Sequence, residues 1–197
     1  MRLISVVGAA PGIGKSTFCQ QLVAGLRAGG ERVDHFAEAE IMTRPVYAVA
    51  AQQFRDTGFI QPRVLVDCTV TYLRQAAAAG VQVVVADALT PFVPSLLAFG
   101  HREQDIVEIV RELAAQLPDV RAEVMFLDGD VATALNRAAT REGPDWLAWY
   151  TTKLARYHLL PDRPTDTDLH TYLAHQRATT LRVATALGWP VTILPVT

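Results

Sequence analysis

Short, mainly apolar runs alternate along the chain with longer stretches in which apolar residues recur at helical spacing. Leu3 to Val7, Arg32 to Ala37, Val81 to Asp87, Glu123 to Leu127 and Val191 to Leu194 are the runs. Leu3 to Val7 and the valine-rich Val81 to Asp87 are continuous, which predicts buried parallel strands; Arg32 to Ala37, interrupted by Asp34 and His35, predicts a weaker strand, and the other two runs complete five. Between them, Ser16 to Ala28 carries Phe18, Leu22, Val23 and Leu26 on one helical face and stops at Gly29-Gly30. Helices are likewise predicted over Pro45 to Thr57, Pro62 to Ala79, Pro94 to Phe99, Glu103 to Leu117, Val131 to Arg141, Pro144 to His158 and Asp168 to Leu187. Strands alternating with helices predict an α/β class, a parallel sheet wrapped on both faces with right-handed crossovers. No internal repeat, low-complexity tract or long linker divides the 197 residues, so a single domain over 1–197 is expected.

Composition narrows the partners. A net charge of -2 provides no basic field for a nucleic acid backbone or an anionic membrane. The apolar run after Arg2 is too short for a signal-peptide core or a membrane span, which predicts a cytoplasmic protein. Cys19 and Cys68 stand in apolar helical stretches without metal-ligand spacing and read as reduced buried thiols. A small molecule is then the expected partner, and a homodimer is left open. Basic residues are nearly all arginine; Lys15 and Lys153 are the only lysines, so a lysine inside a Gly-rich loop stands out.

That loop is Ala9-Ala10-Pro11-Gly12-Ile13-Gly14-Lys15-Ser16. It has the spacing of a P-loop, with Ala9 where the first glycine is usual. Glycines let backbone N–H groups approach phosphate oxygens without a Cβ in the way. The helix that follows aims its unpaired N–H groups and positive dipole end at the same anion. The expected nucleotide site is Ala10, Gly12, Ile13, Gly14, Lys15, Ser16 and Thr17, with Lys15 reaching the β- and γ-phosphates and the Ser16 hydroxyl on Mg²⁺.

With this motif the chain resembles the P-loop small-molecule kinases, the group that includes nucleoside kinases, shikimate kinase and chloramphenicol phosphotransferase. The resemblance implies a three-layer α/β/α fold, a five-stranded sheet of order 2-3-1-4-5, and an arginine-bearing helical lid, here about residues 130–160. It implies ATP and Mg²⁺ as cofactors. Glu38 and Glu40, in a loop after the second strand, look like the paired acids that shikimate kinase carries there and could both face one crevice. Asp87, ending the valine-rich third strand, stands where an acid supports Mg²⁺ or meets the acceptor. Arg137 and Arg141 lie four apart on one helical face and look like lid arginines that neutralise charge on a transferring phosphoryl group. Arg44 and Arg63 are weaker candidates for substrate contact.

The expected activity is transfer of the γ-phosphate of ATP to a hydroxyl of a nucleoside, sugar or antibiotic, with catalytic residues Lys15, Glu38, Glu40, Asp87, Arg137 and Arg141. Which carboxylate acts as base is left open. A pocket drawn from Tyr47, Phe54 and the Trp146–Trp149 pair would suit an aromatic or partly apolar substrate, although such a stripe more often packs as core. The alternative is an ATPase or a nucleotide-dependent regulatory protein without an acceptor. A GTPase would need an Asn-Lys-x-Asp segment, and Lys153 in Thr152-Lys153-Leu154-Ala155 does not supply one. The histidines show no metal spacing.

Overall fold

The computed structural model describes residues 1–87 and 89–196. Five strands, β1 (Arg2–Gly8), β2 (Val33–Phe36), β3 (Val83–Asp87), β4 (Arg121–Gly129) and β5 (Val191–Val196), form one parallel sheet in the order β2-β3-β1-β4-β5. The period-2 geometry of a strand sends alternate residues to opposite faces, and here both faces are apolar. Leu3, Val84 and Ala86 enter one cluster, packed by helices α2 (Ala48–Thr57), α3 (Pro62–Ala78), α4 (Val93–Ala98) and α5 (Glu103–Ala115). Ile4, Val6, Val83 and Val85 enter the other, with α1 (Lys15–Ala28), α6 (Val131–Glu142), α7 (Trp146–Arg156) and α8 (Asp166–Ala186). None of the described helices is long and apolar enough to cross a membrane.

Register positions the chemistry. Val6 pairs with Asp87, and Gly8 with Leu127. The Gly-rich loop and the acid of β3 therefore leave the sheet side by side at its C-terminal edge, where open α/β sheets bind ligands. Beyond Asp87, a cis Thr90–Pro91 bond and Phe92 in the left-handed region (φ 58°) turn the chain into α4. The Thr90 hydroxyl is buried against Ser5 of β1 and hydrogen-bonded to it.

Several element bounds differ from the periodicity. The segment after β2 is not an open loop but a 3₁₀ turn, Glu38–Met42. The helix expected from Pro45 opens with a second 3₁₀ turn, Pro45–Tyr47, before α2 begins. Helix α8 starts earlier than expected because Thr165 and Asp168 form a capping box: the Thr165 side chain accepts from the Asp168 N–H while Asp168 accepts from the Thr165 N–H. Strand β4 runs longer at both ends than the apolar core of its sequence, because β1 pairs with Arg121 to Leu127 and β5 with Val124 to Gly129. Asp128 just beyond that core accepts two hydrogen bonds from Arg177 of α8.

Candidate functional site

The loop from Gly8 to Gly14 is held from three sides. The Ala9 N–H donates to the Leu127 carbonyl at 3.0 Å, and Ala9 and Ala10 are buried. Gly12 has φ +80°, and a Cβ there would lie 2.0 Å from the Ala134 carbonyl oxygen of α6, so glycine is required both by conformation and by close approach. Gly14, φ +100°, faces open space and starts α1. Phe18 is the first residue of α1 whose N–H bonds back to the loop, to Gly14 at 3.0 Å. The N–H groups of Lys15, Ser16 and Thr17 belong to the first turn and have no partner within the helix, which leaves an electropositive crown at the cavity floor. Gly12, Gly14, Lys15, Ser16 and Thr17 line the cavity together with Ala10. Ile13 does not: its side chain is buried and wedges between the positions where Gly8 and Gly129 would carry a Cβ.

Asp87 stands at the same floor. Its carboxylate is buried, Oδ2 accepts from the Ser16 hydroxyl at 2.8 Å, and Oδ1 has no partner within the described residues. A buried carboxylate oxygen left unpaired is costly unless something else meets it. The neighbouring Cys19 thiol is pushed up to about 12, mainly by burial and further by the Asp87 charge, with Lys15 opposing. Lys15 itself makes no ion pair among the described residues.

The two glutamates after β2 separate. Glu38 lines the cavity. Glu40 turns away from it: its carboxylate accepts from the Ala37 N–H at 2.7 Å and pairs with Arg44 at 3.2 Å. A 3₁₀ turn sets side chains two apart on different sides, and so the expectation that both acids face one crevice fails. Arg44 clamps this turn to β2 and is not among the residues lining the cavity. Its guanidinium meets Asp34 of β2 at 2.9 and 3.2 Å, donates to the His35 carbonyl at 2.7 Å and lies over the Phe36 and Tyr72 rings at 5.0 and 4.8 Å. Tyr72 of α3 donates to Asp34 at 2.8 Å. Burial alone would raise the Asp34 carboxyl, but these hydrogen bonds hold it below the ordinary carboxylate range. Arg63 is exposed and lies 3.9 Å from Asp67 on its own helix. Tyr47 is fully buried, bonded to Thr69 at 2.9 Å, and is not among the residues lining this cavity.

Above the floor, α6 and α7 close the cavity. Arg141 reaches its lining, with Nε 2.7 Å from Glu142; Arg137, one turn earlier, does not line it. Helix α7 presents Trp146, Tyr150, Lys153 and Tyr157 inward at spacings of a single helical face. Trp146 and Tyr150 stack at 5.2 Å with 7° between planes, and the Tyr150 hydroxyl sits within electrostatic reach of Glu38. Tyr157 donates to the Gly58 carbonyl at 3.2 Å and meets Phe99 edge-on at 6.2 Å, fastening the end of α7 to the far wall. The cavity encloses about 1160 Å³. Tyr172, Gln176 and Thr180 of α8 also line it. Sequence reading passed them over, because polar residues at helical spacing near the chain's end resemble a solvated face; their burial marks them only once the sheet is assembled.

The fold is thus α/β with an all-parallel five-stranded sheet, and the site lies at the C-terminal edge of β1 and β3. No known family matches the chain as a whole or in part, and no curated protein matches it.

Proposed function

We propose that the protein is a P-loop phosphotransferase that moves the γ-phosphate of ATP to a hydroxyl of a small molecule, with α6 and α7 as its lid. The observation that carries this reading is one cavity joining the unpaired N–H crown and Lys15 to the carboxylates of Asp87 and Glu38. At about 1160 Å³ it exceeds the roughly 300–1,000 Å³ of a single small-ligand pocket, as a site for nucleotide and acceptor together requires.

The roles follow from position. The N–H groups of Gly14 to Thr17 and the Lys15 ammonium bind phosphate oxygens and stabilise charge that builds on them during transfer. Asp87 and Ser16 fit a Mg²⁺ ion, because an unpaired buried Oδ1 and an adjacent hydroxyl are hard oxygen donors. No group of three or more His, Cys, Asp or Glu among the described residues is placed to hold a metal ion by itself, so such an ion would complete its shell from phosphate and water. When bound, it would neutralise charge between the β- and γ-phosphates. Glu38 orients the acceptor hydroxyl and accepts its proton, with Asp87 as the other carboxylate on the cavity. Glu40 serves the turn that holds Glu38, and Arg141, on the cavity lining with its Nε paired to Glu142, is the lid arginine placed to meet phosphate. The lid excludes water, which otherwise competes with the acceptor.

The test is ADP release from Mg·ATP across nucleosides, sugars and hydroxylated ring compounds, with a control lacking acceptor. Acceptor-dependent release is expected. Release at the same rate without acceptor would make the protein an ATPase, and the phosphotransferase reading would be withdrawn.

A further inference from the structure

The half of the cavity away from the phosphate floor has a chemical character of its own. It is walled by the 3₁₀ turn after β2, the α2–α3 connection, α4 and the inner face of α7, and these elements contribute mainly apolar and aromatic groups: Met42, Phe54, Ile60, Phe92, Phe99 and Trp146 among them. Phe99 is locked in place by Phe59 at 4.8 Å and by Tyr157 at 6.2 Å, so this wall is packed and presents fixed ring faces. Polar groups are sparse on it: Glu38, Ser95 and Tyr150 line it, with Lys153 against the exposed Trp149 at the rim. The Tyr150 and Ser95 hydroxyls make no hydrogen bond within the described residues.

Such a wall selects by what it would leave unpaired. A sugar or other polyol brings several hydroxyls, each losing water on entry, and a nucleoside brings a base edge as well as ribose hydroxyls. A site that fails to hydrogen-bond those groups rejects them, since each polar group left unsatisfied lowers affinity by about tenfold or more. Ring faces at van der Waals distance instead favour a flat apolar body, by stacking as well as by burial.

Building on the phosphotransferase reading above, we infer that the second ligand of this cavity is a ring-bearing, largely apolar alcohol, its hydroxyl presented to Glu38 and Tyr150 and its ring system held between the inner face of α7 and the wall formed by Phe99, Phe92 and Met42. Transfer then breaks the bond between the γ-phosphorus and its bridging oxygen, forms a phosphorus–oxygen bond to the alcohol, and leaves ADP with the hydroxyl proton on Glu38.

The probe is 2-naphthylmethanol, compared with uridine and glucose, on the full chain with Mg²⁺. Binding is read by calorimetry with and without a non-hydrolysable ATP analogue, and turnover by ADP release. The expected result is that 2-naphthylmethanol binds together with the analogue and supports ADP release, while uridine and glucose do neither. Met42→Asn should weaken naphthylmethanol binding about tenfold while the analogue binds as before; Ala98→Leu, which narrows the same wall without adding polarity, should weaken it too. ADP release with uridine or glucose but not with the naphthyl alcohol overturns the ligand class and leaves the phosphotransferase reading standing. Competition between naphthylmethanol and the analogue also overturns it, by assigning the aromatic wall to the adenine ring. Binding alongside the analogue, with ADP released at the same rate whether or not the alcohol is present, keeps the ligand class and removes the phosphotransferase reading instead.

Discussion

Replacing Arg44 by methionine should destabilise the protein by about 2 kcal/mol and at the same time slow any reaction that depends on Glu38. The guanidinium closes a network that no other side chain can close. It bridges Asp34 on β2 to Glu40 on the 3₁₀ turn, caps the His35 carbonyl, and fills the gap between Phe36 and Tyr72. Exposed ion pairs contribute about 0–1 kcal/mol, whereas removing one partner of a fully buried pair costs about 3–5 kcal/mol. With side chains 21% exposed for Arg44 and 30% for Asp34, this pair lies between those limits, and methionine recovers part of the packing between the two rings. About 2 kcal/mol is the balance, which for a chain of this length lowers Tm by about 4–8 °C. Arg44→Lys should recover less than half of it, since an ammonium cannot span Asp34, Glu40 and the carbonyl together. Urea denaturation of wild type, Arg44→Met, Asp34→Asn and the double variant gives the coupling directly, expected at about 1 kcal/mol or more. A loss below about 0.5 kcal/mol for Arg44→Met, or additive single and double variants, would refute the claim that this network anchors the turn carrying Glu38.

The other expectations are more local. Lys15→Ala should lower acceptor-dependent ADP release by about 10²–10³ with little change in Tm; unchanged turnover would remove Lys15 from the mechanism. Gly12→Ala should cost about 3 kcal/mol, since strain at φ +80° is joined by a Cβ driven against the Ala134 carbonyl, while Gly14→Ala at φ +100° in open space should cost about 1–2 kcal/mol; equal Tm losses would contradict the close approach of α6 to the loop. Asp34 has a depressed carboxyl in the folded state, so its contribution to stability is present above the unfolded value of about 3.9 and is lost as pH falls through the lower folded value; an acid stability profile of Arg44→Met should be flatter than wild type over that window, and parallel profiles would argue against the pairing. Cys19, with its thiol pushed up to about 12, should resist iodoacetamide at pH 8 in the folded protein and react on denaturation; rapid native alkylation would mean that the base of α1 opens readily.

Much of the fold lies in local pattern. Short continuous apolar runs ended by a glycine or an acid pointed to buried parallel strands, and Arg2–Gly8 and Val83–Asp87 became the neighbouring strands β1 and β3. The sheet order implied by the family resemblance is the one observed. The Gly-rich loop was equally legible, because its spacing expresses backbone requirements that a single segment meets by itself, although the buried Ile13 shows that not every residue of the loop faces the cavity. Asp87 was legible for a similar reason: the end of a strand is a fixed place in the sheet, and Ser16 lies within hydrogen-bond reach of it.

What sequence alone could not settle depends on which way a side chain leaves a turn and on what arrives from far along the chain. Glu38 and Glu40 are equivalent acids in the sequence; the 3₁₀ geometry of their turn sends one to the cavity and the other to the Ala37 N–H and Arg44. Arg44 gave no sign of being a clamp, since its partner Asp34 lies ten residues away and Tyr72 arrives on another helix. Arg137 and Arg141 share a helical face, yet only the latter reaches the cavity lining. The aromatic stripe of α7 read more readily as core than as cavity wall; the fastening of Tyr157 to Gly58 and Phe99 turns Trp146 and Tyr150 to the cavity. Propensity and periodicity act over one turn or one strand and so are written in consecutive residues. The walls of a cavity are assembled from segments that become neighbours only when burying the two faces of the sheet brings them together.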